Sequence, residues 1–196
     1  MSRTLNEQAV SEDQRSGREI LLGVTGSVAA YKAAEVVSRL VKRGDGVSVA
    51  MTAAASRFIG QTTFEALTTR PVYGSQWNAV EHYQGEHIGL AARADLYLIA
   101  PCSADMIGQL AGGLCGELVS LLATTIECPL LVAPAMNRAM WEKPAIQRNV
   151  ATLRADGVQI VGPGEGWQSC RAVGTGRMAE PEEIVTAIDA ALSAEV

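Results

Sequence analysis

Short apolar runs alternate with amphipathic stretches along this chain. Residues 19–25, 47–52, 95–100, 129–133 and 158–161 are apolar runs bounded by turn residues, which predicts strands buried on both faces. Between them, residues 27–43 carry Val36, Val37, Leu40 and Val41 on one helical face, and Gly44 and Gly46 stop that helix. Further helical stretches are predicted at 55–59, 62–68, 103–112, 117–126 and 144–156, and Pro181 opens a terminal helix at its favoured first-turn position. Prolines 101 and 134 close the third and fourth strands, and residues 74–86, polar and aperiodic, read as a surface loop. Strands alternating with helices imply right-handed crossovers and one doubly wound α/β domain with a mostly parallel sheet.

In such sheets ligands sit at the carboxyl ends of the strands. Gly26-Ser27, Thr52, Pro101-Cys102-Ser103 and Pro134-Ala135-Met136-Asn137 all fall there. At Gly26-Ser27 the first strand turns into a helix whose free N–H groups and partial positive charge suit an anion. A plain strand-to-helix turn capped by Ser27 explains the same residues. The segment lacks both G-x-G-x-x-G and the P-loop Gly-Lys-Ser/Thr. A dinucleotide site would also place an acid at the end of the second strand, where this chain has Met51-Thr52, so a mononucleotide is the sharper expectation.

Composition narrows the field. The chain has 196 residues, of which 48% are hydrophobic, enough for one domain core. Its net charge of -5 argues against a nucleic-acid groove. The longest apolar runs fall far short of the roughly 20 residues that span a bilayer. Residues 1–17 are polar and include Glu7, Glu12 and Asp13; they resemble neither a signal nor a transit peptide and read as a flexible leader, with a cytoplasmic location as the default. Cys102, Cys115, Cys128 and Cys170 form no C-x-x-C pair, and His82 and His87 lie far from them, so no metal is expected. The first three sit in or beside apolar segments and read as core residues. Cys170 lies in the Gly-rich stretch 162–180, whose length suggests a functional lid.

Several segments together resemble the homo-oligomeric, flavin-containing cysteine decarboxylase family. Residues 134–141 match its P-x-M-N-x-x-M-W motif; residues 101–106 are similar to its P-A-S-A-N-T flavin motif. Residues 174–178, with Cys170 ahead of them, resemble the substrate flap of phosphopantothenoylcysteine decarboxylases, and His87 falls where the family has its active-site histidine. The resemblance runs from about residue 19 to the terminal helix. It implies a Rossmann-like, flavodoxin-like domain over residues 18–196, binding FMN through Gly26, Ser27, Val28, Thr52, Phe58, Ser103, Ala104, Asp105, Met106 and Ala135. The chain departs from the family where Asp105-Met106 replaces Asn-Thr, Arg171 stands for the Gly after the flap cysteine, and Gly89 replaces an acid.

The chemistry so implied is oxidation of a cysteinyl thiol, decarboxylation, and re-reduction of the enethiolate in coenzyme A synthesis. His87 would be the general base, since imidazole is the side chain suited to proton transfer near neutral pH. Asn137 can hold a carboxylate without adding charge, although a helix N-cap explains it too. Cys170 would protonate the enethiolate; Arg177, Met178 and, more loosely, Lys32 would hold the substrate and its phosphate. Met136, Met140 and Trp141 read as apolar packing around the site. The family also implies a homo-oligomer built from trimers (a trimer or dodecamer) with the flavin at a subunit contact. A separate phosphopantothenate–cysteine ligase is expected, since these residues hold no second domain. Alternatives are decarboxylation of a peptide's C-terminal cysteine, which the flap cysteine disfavours, and a non-catalytic flavin-binding regulator.

Overall fold

The computed structural model describes residues 17–77, 81 and 85–194; the expected leader, apart from Gly17, and His82 lie outside them. Six strands, β1 (Glu19–Val24), β2 (Gly46–Met51), β3 (Val72–Tyr73), β4 (Leu96–Cys102), β5 (Leu130–Pro134) and β6 (Gln159–Ile160), form one sheet in the order β3-β2-β1-β4-β5-β6. Every neighbouring pair is parallel. The chain winds outward from β1 through β2 and β3, then resumes on the other side with β4, so the sheet switches direction between β1 and β4.

Each strand is apolar throughout because each face meets helices. Ile20, Leu22 and Val24 of β1 pack with Val36, Val37 and Leu40 of α1 (Ala30–Lys42), Phe64 of α2 (Gln61–Thr68) and Ile184 and Ile188 of α8 (Pro181–Ser193). On the other face Leu21, Tyr97 and Ile99 meet α3 (Glu86–Arg93), α4 (Ala104–Ala111), α5 (Leu118–Ala123) and α7 (Pro144–Ala155), through Leu90, Ile107, Val119 and Leu153. The period-two alternation within an unbroken apolar run is what a doubly covered strand requires.

Several expectations are corrected. Pro101 does not end the third strand: β4 runs on to Cys102, and the proline sits at a register irregularity opposite β5, where a missing N–H is tolerated. The polar segment at 74–86 gives way at Glu86 to a helix, and Glu86 itself is buried. Residues 162–180 contain an antiparallel hairpin, β7 (Gly164–Trp167) and β8 (Val173–Arg177); its glycines broke the strand pattern in the sequence. Cys102 is buried, Cys128 half-buried, but Cys115 is exposed, because it lies in the loop between α4 and α5 rather than under either helix.

Gly23 is required by close packing. A Cβ there would lie 2.7 Å from the Tyr97 hydroxyl and 2.9 Å from Val119 Cγ1, and that hydroxyl donates to the Val119 carbonyl (2.9 Å). Gly23→Ala should therefore cost about 1–3 kcal/mol in urea unfolding, and adding Tyr97→Phe should recover part of that loss. Strictly additive losses in the double variant would contradict this packing.

Candidate active site

The site grows from the switch point between β1 and β4. Thr25 joins the two strand ends: its Oγ1 donates to the Pro101 carbonyl (2.7 Å) and accepts from the Ser103 N–H (2.9 Å). Ser103 Oγ in turn caps α4 by accepting the Met106 N–H (3.2 Å). The turn after β1 packs against the turn after β2, where a Cβ on Gly26 would lie 2.6 Å from the Ala54 Cβ. Ser27 does not cap α1, which begins only at Ala30; its hydroxyl accepts from the Ala29 N–H (3.2 Å) and closes the turn ahead of the helix. No acidic side chain occupies the first turn of α1. That leaves its positive end open to an anion.

The second wall is the turn after β5. Asn137 caps the short helix α6 (Arg138–Trp141), its Oδ1 accepting the Met140 N–H (2.9 Å). The carbonyl end of the amide is thereby used, and the exposed Asn137 side chain lines the cavity described below. The hairpin docks on this turn through the Met136 N–H and the Gly176 carbonyl (2.9 Å). Gly176 is obligatory there: its φ is 133° and a Cβ would lie 2.4 Å from the Met136 carbonyl oxygen.

Gln168 fixes the hairpin tip. Its Oε1 accepts from the Arg138 N–H (3.0 Å) and lies 3.7 Å from the Cys170 Sγ; its Nε2 donates to the carbonyls of Gly174 (3.4 Å) and Thr175 (3.2 Å). The base of the hairpin is tied to α1. Lys32 is not a solvated lysine: it is 4% exposed, donates to the Met178 carbonyl (3.2 Å) and pairs with Glu180 (3.0 Å). Glu180 also receives Arg177 (2.6 Å). The Lys32 hydrogen bond, with the charges of Lys32 and Arg177, holds the Glu180 carboxyl below its ordinary range.

These walls enclose a cavity of about 460 Å³ that brings together Ser27, Val28, Lys32, Ala135, Asn137, Cys170, Arg177 and Met178. Val28, Tyr31 and Trp167 line it while more than half exposed, so its mouth is apolar. Cys170 is exposed, whereas burial pushes the Cys102 thiol well above its usual range and keeps it out of any chemistry. His87 is not among the lining residues; it sits half-buried on α3, and its buried Nδ1 has no hydrogen-bond partner among the described residues. Thr52 uses its hydroxyl to accept the Ala55 N–H (3.1 Å), and Phe58 stands exposed at the end of the same turn. Asp105 accepts from Gln109 (2.8 Å) on the exposed side of α4, and the Met106 side chain lies in the core. Gly26, Thr52, Phe58 and residues 103–106 therefore line the strand-end edge beside the cavity rather than the cavity itself. Met136 faces the cavity, Trp141 is half-buried against the core, and Met140 is exposed.

Sequence patterns did not single out Thr25, Gln168 or Glu180. Thr25 ends an apolar run and reads as its boundary; Glu180 precedes Pro181 and reads as a helix entry. Gln168 carries no signal beyond standing two residues before Cys170.

The fold and cavity define a doubly wound α/β protein with its ligand cleft at the sheet's switch point. The chain belongs to the Flavoprotein family, whose profile matches residues 8–193. It is 44% identical over 170 residues to the coenzyme A biosynthesis bifunctional protein CoaBC of Vibrio parahaemolyticus serotype O3:K6 (strain RIMD 2210633), covering 87% of this chain and 43% of that protein. To its counterpart in Escherichia coli (strain K12) it is 41% identical, covering 87% and 42%. The chain thus spans less than half the length of these curated relatives. The FMN-dependent cysteine decarboxylase SpaF superposes with a TM-score of 0.78 at 32% identity, covering 91% of this chain and 96% of that one. A PPC decarboxylase cysteine-to-serine variant complexed with pantothenoylaminoethenethiol superposes with a TM-score of 0.78 at 28% identity, covering 89% and 97%.

The hairpin tip carries one backbone strain. Arg171 adopts φ 65°, a left-handed conformation that glycine enters freely. Arg171→Gly should raise stability by about 1 kcal/mol in thermal unfolding; a lower Tm would show that the arginine side chain offsets the strain. Glu180 gives a pH dependence. Its folded pKa lies below the ordinary 4.5, so its contribution is complete above that value and is lost as pH falls through the lowered one. The protection of β8 amides against hydrogen exchange, corrected for the intrinsic pH dependence, should fall on acidification across that window in the wild type, and Glu180→Gln should flatten the transition. An unchanged acid transition in the variant would dismiss this tie.

Proposed function

We propose that this chain is an FMN-dependent decarboxylase that converts phosphopantothenoylcysteine to phosphopantetheine in coenzyme A biosynthesis, acting in the cytoplasm. The observation that carries this reading is that Asn137 and Cys170, from two distant segments, open onto one cavity with the amino end of α1. The kinship with CoaBC proteins and with PPC decarboxylase supports the substrate.

The residues present fit the cofactor's anionic end. The side-chain-free face of Gly26, the Ser27 hydroxyl and a helix start without acids form a cradle for phosphate. Thr52, Phe58, Ser103, Ala104, Asp105, Met106 and Ala135 would border the rest of the flavin, with Asp105 and Met106 contributing through α4's first turn. FMN, when bound, would supply the reversible two-electron redox chemistry that the reaction needs.

The protein's own part is binding and proton transfer. The two Nδ2 donors of Asn137 would hold the substrate carboxylate with a neutral group, which keeps it in place without the charge stabilisation that would oppose loss of carbon dioxide. Arg177 would meet the substrate phosphate, exchanging its contact with half-exposed Glu180 for a charge-assisted pair. Lys32 shares Glu180 but is committed to the Met178 carbonyl, so its part is to seat Met178 and the hairpin base. Cys170 would give a proton to the carbon that lost the carboxylate. His87 would take the substrate thiol proton.

A homo-oligomer built from trimers supplies His87 from a second copy. The apolar mouth formed by Val28, Tyr31 and Trp167, and the placement of His87 outside this chain's own cavity, support such a contact. A phosphopantothenate–cysteine ligase activity would supply the substrate.

Two assays test this. FMN-loaded protein should release carbon dioxide from phosphopantothenoylcysteine at least about 100-fold faster, by kcat/KM, than from a peptide ending in cysteine; the reverse order would make it a peptidyl cysteine decarboxylase. His87→Asn and Asn137→Asp proteins, each inactive alone, should recover activity when dissociated and reassembled together. Failure of mixed oligomers to recover would place His87 and Asn137 in one copy's site, or His87 outside it.

A further inference from the structure

We infer that Gln168 is the positioning residue for Cys170, setting how the proton is delivered in the second half of the reaction. The inference rests on the decarboxylase reading above. Gln168 is 7% exposed while the cysteine two residues on is exposed. A primary amide offers two donors and two acceptor sites, and all four are engaged: the Arg138 N–H (3.0 Å) and Cys170 thiol (3.7 Å) at Oε1, the Gly174 (3.4 Å) and Thr175 (3.2 Å) carbonyls at Nε2. Its backbone closes the same tip, accepting from the Arg171 N–H (2.8 Å) and donating to the Ala172 carbonyl (2.9 Å).

The geometry is specific to the chemistry. Arg138 directly follows Asn137, so one amide oxygen touches both the turn that would hold the substrate carboxylate and the thiol that would replace it with hydrogen. Gln168 also packs where a Cβ on Gly176 would lie, 3.0 Å from Nε2, so it fits between β8 and the turn after β5. An apolar residue of the same length would fill this space but leave the Arg138 N–H and two carbonyls without a side-chain partner, and the thiol without an acceptor.

The step that depends on it balances as follows. The thiol hydrogen of Cys170 passes to the carbon that carried the carboxylate, converting enethiolate to thioaldehyde and leaving Cys170 as thiolate. The hydride taken in the first half returns to the sulfur-bearing carbon, and Cys170 regains a proton from solvent. Misplacing Cys170 delays this half and lets the enethiol escape with its two electrons left behind on the cofactor, so within a single turnover oxidation and loss of carbon dioxide, which do not use Cys170, still go to completion.

The test is product partition in a single turnover of FMN-loaded enzyme with phosphopantothenoylcysteine, with carbon dioxide and both products quantified by mass spectrometry. Gln168→Met should keep carbon dioxide release within about five-fold of wild type while the fraction of unsaturated enethiol rises at least about ten-fold. Gln168→Asn, polar but one methylene short, should shift the partition the same way and decides the matter if the first variant does not fold. In the substrate-free protein, iodoacetamide labelling of Cys170 should quicken several-fold in either variant, with exposed Cys115 unchanged as internal reference. An unchanged partition, or carbon dioxide and saturated product falling together, would overturn the inference. Absence of carbon dioxide release by the wild type would instead overturn the decarboxylase reading.

Discussion

The contact between the Met136 N–H and the Gly176 carbonyl (2.9 Å) joins the hairpin formed by β7 and β8 to the turn after β5, and the site exists only because of it. The approach is possible because residue 176 has no side chain; any Cβ would strike the Met136 carbonyl oxygen at 2.4 Å. Once the two backbones meet, Cys170 and Asn137, 33 residues apart in the chain, open onto the same cavity. The secondary ties follow from this approach: Gln168 reaches Arg138 at the tip, and Lys32 reaches Met178 and Glu180 at the base.

The switch between β1 and β4 makes the complementary half. Parallel strands that diverge at this point leave a crevice at their carboxyl ends, and Thr25 holds its lips together by bonding both Pro101 and Ser103. The result is a division of labour between a rigid sheet edge, suited to a cofactor, and a hairpin docked by a few polar contacts, suited to a substrate lid.

Much of this was legible in the sequence, for physical reasons. Strands covered on both faces must be apolar throughout, so β1, β2, β4 and β5 stood out with nearly correct limits. The strand-end positions of Gly26, Ser103 and Asn137 followed from the alternation alone. What stayed hidden depended on tertiary contact. Residues 86–93 carry only Leu90 and Ala91 as buried apolar residues after Glu86, too few to mark a helix. The hairpin's glycines serve close approach and positive φ, and so erase the period-two pattern of its strands. Pro101 within β4 depends on a register slip opposite β5 that no local signal marks. Lys32 reads as surface because burial of a lysine is justified only by Glu180 and Met178, some 146 residues away. The motif resemblance named His87 as a site residue, yet within one chain it does not share the cavity with Cys170.

In the proposed reaction the cavity between α1, the turn after β5 and the hairpin works in two parts, and Cys170 serves only the second. The direct measurement is a single-turnover experiment with Cys170→Ser protein loaded with FMN, using substrate labelled at the cysteinyl carboxylate. The account predicts that labelled carbon dioxide appears at close to the wild-type rate while the unsaturated enethiol, not phosphopantetheine, accumulates. Saturated product formed at the wild-type rate would contradict it.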